Sequence, residues 1–105
     1  MKLVLLMYLA EDAGRVAALL GSVGIAASTR IEAEGWTKGL PSPWSGAVAP
    51  FSSELRIALV PDDRAEDVMR AVESCTECAN ERHPIHAVEL DVARVTTSLA
   101  ESNDS

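Results

Sequence analysis

Lys2 to Leu9, KLVLLMYL, sets large apolar side chains at odd and even positions alike. Successive side chains of an extended chain point to opposite faces, so this segment predicts a strand covered on both sides. Glu11 and Asp12 supply the acidic start of a helix, and Val16, Leu19, Leu20 and Val23 recur at helical spacing. Gly24 is placed to end that helix. Ala27, Thr29, Ile31 and Ala33 then alternate with Ser28, Arg30, Glu32 and Glu34, the pattern of a half-buried second strand. Gly35 to Phe51 contains Gly39, Pro41, Pro43, Gly46 and Pro50, and reads as a long loop.

Leu55, Ile57 and Leu59 alternate as a third strand that ends at Val60-Pro61. Asp62 and Asp63 are expected to cap a second helix whose inner face is Ala65, Val68, Val72, Cys75 and Ala79. Pro84 breaks the chain before a fourth strand. There His86, Val88, Leu90 and Val92 share one side, Ala87, Glu89 and Asp91 the other, and His86 is expected to head the inward one. Residues 1–95 read as one domain and 96–105 as a disordered tail.

The order βαββαβ predicts an α+β, ferredoxin-like sandwich: one antiparallel sheet with both helices on one face. Such a sheet leaves its other face bare. Strand 1 is central in this arrangement and carries Leu3, Leu5 and Met7 on one side, Val4, Leu6 and Tyr8 on the other. A second copy of the chain is the economical cover for the surplus apolar set, so a homo-oligomer is expected.

Charge narrows the partners. Nine basic against sixteen acidic residues give a net −7, which argues against nucleic acid or anionic lipid as a general partner. The longest apolar run, Leu3 to Ala10, is far too short to span a membrane. A cytoplasmic protein with no direct membrane insertion is expected. The chain has no nucleophile elbow, Walker loop or ordered Ser/His/Asp set, so catalysis is not expected.

Ser22 to Gly39, SVGIAASTRIEAEGWTKG, carries the most specific signal. Its Val23-Gly24-Ile25 turn, Thr29-x-x-Glu32 strand and Gly35-Trp36 step, with Val60-Pro61-Asp62-Asp63 opening helix 2, resemble the PII superfamily of signal-transduction proteins. VELDVARV near the C-terminus is similar to that family's last strand. The resemblance implies a homotrimer with a small effector, above all an adenine nucleotide, in the clefts between subunits. It further implies that the 37–51 loop, the family's T-loop, engages a regulated protein such as a membrane transporter. Carried over by position, Thr29, Gly35, Trp36, Thr37 and Lys38 lie near the ligand. Glycine permits close backbone approach, a hydroxyl and an ammonium can bind phosphate, and an indole can cover a base.

Three features set this chain apart. The better-known members have a Gly-Asp-Gly-Lys phosphate loop where this chain has CTECANERHP, from Cys75 to Pro84. Their Arg-Thr-Gly ending is absent too, leaving Arg82 and Arg94 as cationic candidates, which favours ADP or AMP over ATP. The loop from Thr37 to Phe51 also has no tyrosine to modify.

Cys75, Cys78, His83 and His86 form C-x2-C-x4-H-x2-H. Two thiolates and two imidazoles can close a tetrahedral zinc site, and a C-x-x-C can act as a redox pair. A third reading leaves Cys75 as a core residue, since buried free cysteine is common. The alternative function is thus a metal- or redox-responsive trimer. Trp44 either packs on its own trimer or, with Phe51, anchors a partner.

Overall fold

The computed structural model describes residues 1–35, 51–75, 78 and 84–96. The elements are β1 (Lys2–Leu9), a 3-10 turn (Ala10–Asp12), α1 (Ala13–Ser22), β2 (Thr29–Gly35), β3 (Phe51–Val60), α2 (Asp62–Glu73) and β4 (Ile85–Asp91). They make one antiparallel sheet in the order β2-β3-β1-β4, the expected ferredoxin-like arrangement.

The alternation of β1 decides which side is the core. Val4, Leu6 and Tyr8 are fully buried, whereas Leu3, Leu5 and Met7 are half-buried. The buried set meets Val16 and Leu20 of α1, Ala58 and Val60 of β3, Ala65 and Val68 of α2, and Cys78 and Ile85.

The other face is apolar and bare. Register aligns it in rows: Leu90, Leu3 and Leu59, then Val88, Leu5 and Ile57, then His86, Met7, Leu55 and Ile31. Leu59 is 41% and Leu90 48% exposed, unusual for residues set among apolar neighbours on a sheet.

Gly24 ends α1 as expected, with φ +80. Ile25 N donates to Leu20 O at 2.9 Å and Gly24 N to Gly21 O at 3.1 Å, so the turn is a Schellman motif. The start of α2 differs from expectation. Its N-cap is Pro61, with no side-chain cap hydrogen bond, because Asp62 and Asp63 are already helical. Asp62 instead pairs with the Met1 ammonium at 2.9 Å, which holds its carboxyl below the usual range.

Several boundaries move, among them the end of β4, which is Asp91 rather than Val92. β2 begins at Thr29 rather than Ala27, and α2 stops at Glu73, short of Cys75. β3 begins at Phe51, four residues before the Leu55-Ile57-Leu59 alternation, because Gly35 to Ala33 pair with Phe51 to Ser53. Ladder hydrogen bonds extend a strand through polar residues that show no apolar period.

Candidate functional site

The expected ligand residues are spread along the sheet: Gly35 at one end, Thr29 midway along it on the same edge strand, and Arg94 past the other end. Gly35 closes β2 opposite Phe51, beyond the last β1–β3 pair, Leu9 and Ser53. Thr29 starts β2, exposed, opposite Ile57. Arg94 is exposed and follows β4, whose last residue, Asp91, pairs with Lys2. Arg94 therefore lies past the end of the sheet opposite to Gly35. It also follows the opposite edge strand, three strand spacings from β2, or roughly 14 Å. One chain does not bring Thr29 and Gly35 together with Arg94. Trp36, Thr37, Lys38, Trp44, Arg82 and His83 lie outside the described residues, as does most of the 37–51 loop.

A cleft of about 670 Å3 adjoins the Gly35–Phe51 end, lined by Ala10, Glu32, Ala33, Glu34, Ser52, Ser53 and Glu54. Three carboxylates in its wall oppose a phosphate there unless cations come from elsewhere. Beside it is a charged group that the sequence did not advertise. Glu54 is 6% exposed and accepts a hydrogen bond from Tyr8 Oη at 3.0 Å. Arg30 Nη1 is 3.8 Å from the other Glu54 oxygen, and Arg56 Nε donates to Tyr8 Oη at 3.4 Å. Burial, foremost, pushes the Tyr8 phenol pKa up, with the Arg56 hydrogen bond opposing it. Only the strand register shows that Arg30, Glu54 and Arg56 share the helix face.

Cys75 and Cys78 are joined in a disulfide, with Cα atoms 5.2 Å apart. Cys78 is 4% exposed and Cys75 half-buried against the core. The bond uses both sulfurs on each other rather than on a metal. His86 does not join them, and the expectation that it faces inward is corrected. Ile85 and Ala87 point to the helices, so the intervening His86 points to the bare face, in register with Met7. Among the described residues no group of three or more His, Cys, Asp or Glu could hold a metal ion. No helix among them is long and apolar enough to cross a membrane.

Comparison with known proteins places the fold. No family model and no curated protein matches the chain. Solved structures do, and the fold they share with it is that of the PII-like proteins. One is CPII, a nitrogen regulatory PII-like protein from Thiomonas intermedia K12, bound to ADP, AMP and bicarbonate. It superposes with a TM-score of 0.61 over 90% of this chain and 94% of its own, at 12% identity. A second structure of CPII, bound to ADP and bicarbonate, gives 0.59 over 89% and 88%, at 15% identity.

Proposed function

We propose that this chain is a PII-like regulatory protein, without catalysis, that binds an adenine nucleotide between copies of itself. The supporting observation is the fold shared with CPII over nine-tenths of the chain, in structures that hold ADP, AMP and bicarbonate. The placement of Thr29 and Gly35 at one sheet edge, with Arg94 following the other, agrees with it. A cleft that uses both needs Arg94 from a neighbouring copy. The bare apolar face supplies the surface for that contact, in a homotrimer.

Binding then shifts a two-state equilibrium of the 37–51 loop and so its affinity for a protein target, for example a membrane transporter. Few cationic groups are available for phosphate, so ADP and AMP bind ahead of ATP. Zinc has no part in this reading. Thermal-shift and calorimetric titrations with AMP, ADP, ATP and bicarbonate test it. Stabilisation by ADP or AMP is expected, and its absence with every nucleotide sinks the reading.

A further inference from the structure

The disulfide sits where a reductant can reach it. A cavity of about 430 Å3 between α1 and α2 is lined by Arg15, Leu19, Ser74, both cysteines and Ile85 among others. The two sulfurs differ in setting. Cys75 lies half-buried beyond the end of α2, whereas Cys78 is 4% exposed within the core. Cys78 N donates to Cys75 Sγ at 3.1 Å. Arg15, ion-paired with Asp12 at 3.4 Å, brings a cation to the same cavity.

We propose that Cys75–Cys78 is a redox-active disulfide that exchanges with a small dithiol entering this cavity, with Cys75 as the attacked sulfur. A thiolate of the dithiol bonds to Cys75 Sγ. The Cys75–Cys78 bond breaks, and its electron pair leaves on the Cys78 sulfur, which takes a proton from water. The reductant's second thiolate then attacks its own sulfur in the mixed disulfide and releases Cys75. Cys75 leaves as the thiolate, two electrons have passed to the protein, and the dithiol, whose thiol protons went to water as its thiolates formed, becomes a cyclic disulfide. The asymmetry has a physical basis. In the disulfide, access directs attack to Cys75, because Cys78 is 4% exposed within the core. Once reduced, Cys75 is the more reactive thiol, because the Cys78 N–H and the Arg15 cation favour its thiolate. None of this depends on nucleotide binding.

The test equilibrates the native chain with dithiothreitol buffers without denaturant, followed by alkylation and peptide mapping. Reduction of the folded protein is expected, with Cys75 alkylated at least tenfold faster than Cys78. An Arg15→Gln variant should slow Cys75 alkylation severalfold near neutral pH and not at alkaline pH, where the thiol ionises regardless. Circular dichroism checks that the variant folds, and the wild-type rates stand without it. Reduction only after unfolding, or Cys78 reacting first, overturns the proposal.

Discussion

Tyr8 and Glu54 are cross-strand partners on β1 and β3, and the phenol donates to the buried carboxylate at 3.0 Å. A carboxylate 6% exposed persists because this donor and Arg30 answer it. Replacing Tyr8 by Phe keeps the ring and removes the donor. We expect Tyr8→Phe to lower unfolding free energy by about 1–3 kcal/mol, read by urea denaturation. A loss under about 0.5 kcal/mol would mean that water, rather than the phenol, satisfies Glu54 in the fold.

The same pair sets an alkaline limit. Burial raises the folded-state pKa of Tyr8, so the unfolded chain releases the phenol proton first, near pH 10. Stability from this group is fully present below that pH and falls as pH rises towards the folded value. Tyr8 is the only tyrosine, so phenolate absorbance reports it alone. Ionisation at an unshifted pH in the folded protein would contradict the burial.

Gly24 holds φ +80 within the turn that returns α1 to the sheet. The space where a Cβ would stand is open to ordinary contact, 3.5 Å from the Arg64 guanidinium, so the cost is conformational rather than steric. Gly24→Ala is expected to cost about 1 kcal/mol in thermal or urea unfolding. No measurable change would show that the turn is not left-handed in solution.

Particular residues show what could be read beforehand. The two-sided apolar pattern of β1 gave the central strand and the bare face, because one apolar set packs against the helices and the other is left on the open side of the sheet. Gly24 gave the end of α1, because few other residues tolerate its backbone angle. His86 was misplaced for an identifiable reason. His86, Val88 and Leu90 are as apolar a set as Ile85 and Ala87, and only pairing with β1 assigns the faces. Glu54 was missed for a related one: a buried carboxylate carries no period of its own. Its role depends on Tyr8, 46 positions away. Candidate ligand residues came from family resemblance, and only Thr29, Gly35 and Arg94 among them have places in the described structure.

The bare face predicts self-association and where to break it. Leu59 is 41% exposed in one copy, next to Leu3 on the apolar side of the sheet. A glutamate there is solvated in a monomer and desolvated in an assembly. Leu59→Glu should therefore leave the chain folded by circular dichroism while light scattering reports a monomer. If the wild-type chain is itself monomeric at micromolar concentration, something other than a second copy covers this face.

Sharing of the ligand site between copies can be tested by complementation. Loss of an arginine–phosphate contact is worth about 1.5–3 kcal/mol, so Arg94→Ala should weaken ADP roughly 10- to 100-fold. Gly35→Val, at the other edge of the sheet, should obstruct the same ligand from its other side. A subunit carrying Arg94→Ala still offers Gly35, and one carrying Gly35→Val still offers Arg94. Mixed and reassembled, the two variants should recover part of the wild-type ADP stabilisation that neither shows alone. Were both residues used within one chain, no mixture could restore a site. Calorimetry on the mixture therefore separates a cleft built by neighbours from one built within a single subunit.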